Sequence, residues 1–319
     1  MEARDATVAT GDLAAKPRGA LVAARPRYGE KLIEASLVAC AVISVITTTA
    51  IVISLLTPTI GFFGEVSVGD FFSFDTWAPT HADPSFGVLN IVVGTLAVTF
   101  WSLLFAVPLG LLSAIYLSEY AKPRVRRLIK PVLEVLAGIP TVALGLFAVT
   151  FLSPEIQKIL PDLVKSPPFF VLAAGLGIGL LLIPIIASIS DDAMRAVPGG
   201  LREGAYGLGA TKLKVSTRIV FPAAISGVVA SIVLAGSRAV GETMIVLLAA
   251  GGTANATFNP GEQVLPMTAF IGKTATGDIA TGTITYDTIF AVGSVLFVMT
   301  LCMNAVAIRL VRRFREVYE

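Results

Sequence analysis

The chain has 319 residues, of which 55% are hydrophobic and only 14% charged, with a mean hydropathy of +0.82. A water-soluble domain of this size carries about a quarter charged residues, so this composition excludes an ordinary soluble enzyme and points to a polytopic membrane protein. The formal net charge of +2 says little; where the charges sit says more.

In chain order, residues 1–30 are rich in Ala, Pro and Arg with acids mixed in. They are expected to form a disordered cytoplasmic tail rather than a cleaved signal, because a full-length apolar span follows. Spanning a bilayer as a helix takes roughly 20 apolar residues. On that basis six transmembrane helices are predicted, at about 31–56, 92–117, 134–153, 168–190, 219–248 and 287–308, in an all-α fold. Residues 309–319 form a second tail. Twenty of the 24 Lys and Arg residues fall on one side of this layout: in the first tail to Lys31, in 122–130, in 191–218 and in the last tail. The alternate loops hold only Lys158, Lys165 and Lys273. By the positive-inside rule both termini are cytoplasmic.

The first outer loop, 57–89, has no Lys or Arg but holds Phe62, Phe63, Phe71, Phe72, Phe74, Trp77 and Phe86 beside Glu65, Asp70, Asp75 and Asp83. Two readings stay open for it: an aromatic belt at the membrane interface, or a docking surface for an extracytoplasmic partner. Glu134 opens span 3 beside the basic 122–130 segment, where it pairs with Arg126, Arg127 or Lys130 or, alternatively, acts in gating. Pro140 is expected to kink span 3, since an interior proline removes a helix hydrogen bond. Cys40 and Cys302 lie within spans and read as small apolar fillers rather than a disulfide. His81 alone builds no metal site, and no nucleic-acid motif is present. Asn255-Ala-Thr257 fits a glycosylation sequon by pattern only.

The stretch Gly272-Lys273-Thr274 ends like a phosphate-binding loop, but Met267 stands where that loop needs a glycine. No other stretch matches. If the protein pumps with ATP, the nucleotide and its Mg belong to another chain, and this chain binds no cofactor.

The inner loop 191–218 carries Pro198-Gly199-Gly200, which ends a helical run. Residues 201–209 then form a short helix unusually rich in glycine, with Thr211 as the cap of the next. Each glycine costs a helix on the order of 1 kcal/mol against alanine, so close approach to another backbone is the reason to keep them; a flexible connector is the bland alternative.

Span 5 holds Arg238 and Glu242, four residues apart. A charge in mid-span costs roughly 2.5–3.5 kcal/mol on insertion scales, and Arg before Glu is the weaker order for a pair on one helix. Counted from Ile219 at 1.5 Å per residue, Arg238 stands roughly 28 Å along the span. Either the arginine snorkels to the interface, or it is an oxyanion site on the substrate path, since a guanidinium offers phosphate a planar fork. In the second reading Glu242 holds Arg238 in place or bridges to a neighbouring subunit, and Gly241 lets the helix bend. Thr243 lines the same path.

Glu203-Gly204-Ala205, then Gly209, then Ile219-Val220-Phe221-Pro222 resembles the EAA loop of ABC importer permeases, with the same spacing throughout. Gly204 and Phe221 depart mildly from that pattern. The resemblance implies a coupling helix that docks into a groove on a cytoplasmic ATPase, with Glu203, Ala205, Gly209 and Pro222 as coupling residues. "GSRAVGET" at 236–243, "EVLAGIPTVALGLFA" at 134–148 and "VPLGLLSAIYLSEYA" at 107–121 are similar to segments of phosphate ABC transporter permeases. The long "TWAPTHADPSFGVLNIVVGT" loop is most like the PstC type.

The resemblance implies a type I ABC importer permease fold with its core at 90–315. It implies a PstA-like sister permease, an ATPase dimer and an extracytoplasmic phosphate-binding protein as partners in the cell membrane. The chain is then a transport subunit, not an enzyme. Two other readings remain: a permease for another oxyanion such as molybdate or sulfate, and a channel or secondary transporter that needs no ATPase.

Overall fold

A computed structural model describes residues 28–313 with the exception of Ala82. Of the tails proposed at 1–30 and 309–319, residues 1–27 and 314–319 lie outside the described residues, while 28–30 open α1 and 309–313 end α14. The chain divides into two units at Ile53. The first contains the opening part of helix α1 (Tyr28–Glu65), whose side chains there are exposed. The second begins at Ser54 and holds everything else.

Helix α2 (Val68–Phe71) follows, then a two-residue antiparallel hairpin of β1 (Trp77–Ala78) and β2 (Ser85–Phe86), in which Trp77 faces Phe86 across the ladder. The long helices α3 (Leu89–Ile115) and α7 (Val171–Arg195) form the principal seam. Between them lie α4 (Pro123–Ala137), α5 (Thr141–Phe147) and α6 (Ser153–Ile159). Then come α8 (Gly199–Gly207), α9 (Lys212–Val215), α10 (Phe221–Ala223), α11 (Ile225–Val240), α12 (Met244–Ala249), α13 (Met267–Ala275) and α14 (Ile284–Arg313). Three π-helical turns, Tyr116–Tyr120, Ala148–Leu152 and Ser216–Val220, join α3 to its end, α5 to α6 and α9 to α10.

Five of these stretches are long and apolar enough to cross a membrane, and a sixth is made by two segments bent 70° apart, Lys212–Ala223 and Ile225–Val240. Among the described residues the fold is therefore helical with six spans at most, apart from the small hairpin.

Small residues let α3 and α7 meet closely, as they do where lipid offers no hydrophobic drive of its own. A Cβ on Gly110 of α3 would stand 2.8 Å from the Cβ of Ile186, and one on Gly175 of α7 would stand 3.0 Å from the Cβ of Trp101. Ile91, Ile178, Leu181, Leu182 and Ile186 fill the seam. Polar groups within it are satisfied. Thr95 Oγ1 donates to the Ile91 carbonyl and accepts from the Met267 N–H, and the hydroxyls of Ser190 and Ser231 share a 2.8 Å hydrogen bond between α7 and α11.

Four boundaries differ from the sequence reading, each for a local reason. Helix α1 continues to Glu65, so Phe62 and Phe63 belong to it and not to a loop. Phe62, Phe71 and Trp77 are buried and meet edge to face with Phe63, Phe86 and Phe270. Most of the aromatics assigned to a belt or a docking surface are instead a small core around the end of α1 and the hairpin; Phe72 and Phe74 stay exposed.

The third apolar helix starts at Thr141, not at Glu134. Helix α4 stops at Ala137 with Gly138 as its cap, and the residue before a proline resists the helical region, so Ile139-Pro140 forms a break. Pro140 is the N-cap of α5 and kinks nothing. Helix α7 runs on to Arg195, which takes Asp191 and Asp192 out of the inner loop. The fifth span turns at Ala224 and ends at Val240, and α12 is a separate helix.

Candidate functional site

The end of α11 is where Arg238 and Glu242 were expected to pair on one helix. They do not. The helix stops at Val240 with Gly241 as its cap, and Arg238 lies in its last turn. A cation there faces the carbonyl end of the helix dipole. Glu242 stands in the gap before α12, and its Oε1 accepts from the backbone N–H of Met244 at 3.2 Å and of Ile245 at 3.4 Å. That is the capping role of an acid at a helix start. Arginine first and glutamate second is a poor order within one helix, but it is the favourable order for the end of one helix followed by the start of the next.

Glu242 is 8% exposed, and its carbonyl accepts from the Thr268 hydroxyl of α13 at 2.7 Å. Thr243 is half-buried, and its methyl would stand 3.3 Å from a Cβ on Gly272. The break is thus fastened to α13. Arg238 itself is exposed and forms no ion pair with a described residue. Its neighbour Ser237 donates to Asn304 Oδ1 of α14 at 3.0 Å. Because the span turns at Ala224, only the stretch from Ile225 to Arg238, roughly 20 Å, runs along one helix axis.

The segment after α12 closes over the start of α7. The N–H groups of Phe170, Val171 and Leu172 donate to the carbonyls of Ala249, Glu262 and Pro260. Main-chain acceptors thereby satisfy donors that a helix start leaves open. Lys165 also holds Glu262 at 2.8 Å. The hydrogen bond from Lys165, more than those from Thr257 and Asn259, holds the Glu262 carboxyl below its ordinary pKa. The stabilisation from this group is therefore present above the ordinary carboxylate pKa and is lost as pH falls through the lowered one.

At the other end of α7, α8 stands out from the body. The helix expected at 201–209 runs instead over Gly199–Gly207, so the glycines read as a breaker open it and Gly209 lies beyond its end. Gly209 has φ +78, the left-handed conformation glycine adopts without strain, and its N–H donates to the Tyr206 carbonyl at 2.9 Å. Leu208 beside it is 91% exposed. Thr211 caps α9 by accepting from the Lys214 N–H. Glu203 and Pro222 are exposed. Ala205 is 8% exposed and packs inward with Val197, Val215 and Val220, so it seats α8 on the body and offers no outer contact in this chain.

Three ion pairs that the sequence reading missed build the base under α8. Arg202 donates to the carbonyls of Met194 and Val197, both at 2.7 Å, and reaches Glu119 at 3.1 Å. Arg126 meets Asp191 at 2.6 Å, and Lys130 meets Asp192 at 2.8 Å. Two of the three cations assigned to Glu134, Arg126 and Lys130, are therefore held by α7, and Glu134 is exposed on α4. The signal available in the sequence was the lone acid Glu119 after span 2 and the Asp191-Asp192 doublet after span 4, each beside a basic cluster.

An apolar bundle with a broken fifth span and a projecting glycine-rich helix is the architecture of a transport membrane component, and residues 106–316 match the family model "Binding-protein-dependent transport system inner membrane component". The chain belongs to that family. This permease is 34% identical to the probable ABC transporter permease protein YqgH of Bacillus subtilis, over 82% of this chain and 84% of the relative. It is 31% identical to the phosphate transport system permease protein PstC of Mesorhizobium japonicum, over 74% and 76%. It is 35% identical to PstC 1 of Mycobacterium tuberculosis, over 72% and 73%. Among solved structures, the permease resembles a chain of a bacterial alginate ABC transporter with its periplasmic protein, with a TM-score of 0.66 at 17% identity over 91% of this chain and 97% of that one. It also resembles the MetNI methionine ABC transporter in an inward-facing conformation, with a TM-score of 0.52 at 18% identity over 72% and 94%. These likenesses establish the fold of a type I ABC importer permease.

Proposed function

We propose that this permease is the PstC-like membrane subunit of an ATP-driven phosphate importer. The observation that carries the reading is the identity of 31–35% to PstC proteins over nearly three quarters of the chain. Both termini are cytoplasmic in this reading, which rests on the one-sided distribution of Lys and Arg. A PstA-like sister permease completes the path. An extracytoplasmic phosphate-binding protein delivers the anion, and a separate ATPase pair supplies ATP hydrolysis with its own Mg.

Helix α8 is the coupling element, with Glu203, Leu208 and Gly209 facing the ATPase and Arg202 transmitting its motion to α7. Pro222 lies at the 70° turn, which is the place for that motion to enter α11. Arg238 supplies positive charge on the substrate path; its exposed guanidinium, free of any described carboxylate, supports this role. Glu242, Gly241 and Thr243 shape the end of α11 rather than neutralise the arginine.

Reconstitution of the whole transporter with labelled phosphate tests the reading. Arg238→Ala should lower uptake by about tenfold or more, the equivalent of one charge-assisted hydrogen bond, with assembly intact. Normal uptake would remove Arg238 from the path. Excess sulfate or molybdate should leave phosphate uptake unchanged, and strong competition would transfer the assignment to another oxyanion. Isolation of a transport-active permease without any ATPase would end the ATP-driven reading.

A further inference from the structure

At the same end as α8, a hollow of about 270 Å³ opens between the π-helical end of α3, helix α4 and the last turn of α7. Beside Leu117, Ser118, Ala121 and Pro123, it is lined by Arg126, Arg127, Lys130 and Arg195, with no acid among them. The nearest carboxylates are already engaged. Asp191 and Asp192 hold Arg126 and Lys130, and Glu119 holds Arg202. Arg127 donates only to the carbonyl of Pro123, and Arg195 forms no ion pair with a described residue. The cluster therefore keeps two uncompensated guanidinium groups. In addition, Arg126 Nε is buried with no partner among the described residues. Asp191 Oδ1 of the same ion pair is buried and open as well, so it is the two free guanidinium groups that call for an anion from outside the chain.

Helix α4 says what kind of acceptor. Leu128, Val132 and Val135, spaced along one stripe, are all exposed. Arg126 and Lys130, four residues apart, occupy the other side and turn to the hollow. A helix with a bare apolar stripe opposite a basic row lies in the plane of the membrane interface. Basic pockets between spanning helices at that level take anionic head groups.

We propose that this hollow binds the phosphate group of an anionic phospholipid, with Arg127 and Arg195 as its free cations. The site is independent of the transported cargo. It bears on coupling because α7 ends in the same place: Arg195 faces the lipid while the carbonyls of Met194 and Val197 hold Arg202 of α8. The lipid thus braces α4 and α7 beneath the projecting helix.

The test uses the complete transport complex in phosphatidylcholine nanodiscs, with spin-labelled phosphatidylglycerol as the probe. Surface cations are worth enough that removing two should weaken probe binding about thirtyfold in Arg127→Gln/Arg195→Gln. Neither arginine meets a carboxylate, so assembly should survive; if the double variant does not assemble, Arg195→Gln alone should show about fivefold. Arg124→Gln, on the apolar side of α4 and outside the hollow, should change binding by less than about twofold. Equal losses for Arg124→Gln and Arg195→Gln would mean diffuse attraction and overturn the site. Displacement of the probe by millimolar inorganic phosphate would assign the hollow to the soluble anion and overturn the lipid.

Discussion

Helices α7 and α8 are neighbours in the chain and both are rich in glycine, yet they use it in opposite ways. In α7 every glycine meets something. A Cβ on Gly177 would stand 3.1 Å from Ala148 and Ile245, and one on Gly179 would stand 2.6 Å from the ring of Phe105. In α8 a Cβ on Gly200, Gly204 or Gly207 would meet nothing within 4 Å. Glycine in a helix interior costs about 0.5–1 kcal/mol wherever it stands. In α7 that cost is offset by close packing within the chain. In α8 nothing in the chain offsets it, and on the proposed function the compensation is a surface supplied by another polypeptide. Packed glycines hold the permease together, and the open glycines are the ones that reading assigns to a partner.

The strongest way to break this contrast is to remove the base on which α8 stands. Asp191 is 0% exposed and pairs with Arg126, whereas Asp192 beside it is 59% exposed. Asp191→Ala strands a partly buried guanidinium and should cost about 3 kcal/mol or more. Asp192→Ala removes a surface pair and should cost about 1 kcal/mol or less. Thermal unfolding of the two variants measures the difference; equal losses would mean that α4 is not anchored through Asp191.

A smaller loss should follow from filling the seam. Gly110→Val places methyl groups against the Cβ of Ile186, where neither backbone can yield, and should cost about 1–3 kcal/mol. Below that comes the cap at the span break. Glu242→Gln keeps an oxygen for Met244 and Ile245 but loses the charge at the start of α12, and should cost roughly 0.5–1 kcal/mol. If Glu242→Gln instead restored activity to Arg238→Ala, the two side chains would be coupled after all.

The sequence shows some of this plainly and hides the rest for physical reasons. Hydropathy finds long apolar helices because the bilayer demands them, and the glycine and threonine pattern at 199–211 finds that α8 exists and that Thr211 caps the next helix, but not that α8 starts at Gly199 and leaves Gly209 beyond its end. The sequence marks two of the places where an apolar run is cut, Pro140 and Gly241, but reads each as a bend within one span and not as a break. The apolar half of amphipathic α4 merges in any window with the helix that follows, which placed Glu134 and Pro140 in span 3. The apolar run from Ile219 to Leu248 hides a turn at Ala224 and a stop at Gly241. Charge pairing is hidden too, since Arg126 and Lys130 choose between Glu134 on their own helix and two aspartates over sixty residues away. Only the approach of α4 to α7 makes that choice.

The last test sharpens the contrast where the change in stability is smallest and points the other way. Gly209 is a poor probe of docking, because its positive φ makes any side chain there strain the turn itself. Gly204 is the better one: it lies within α8, its surroundings are open, and a side chain there improves helix propensity by up to about 1 kcal/mol. Gly204→Ala restores the alanine of the EAA pattern and should leave transport intact. Gly204→Leu should melt no lower than the parent protein, because nothing in the chain occupies the space its side chain enters. It should nevertheless lose ATP-driven uptake, because a partner backbone needs that space. A Gly204→Leu permease that transports normally would show that the empty face of α8 is merely solvated, and the glycines of α8 would then need another explanation.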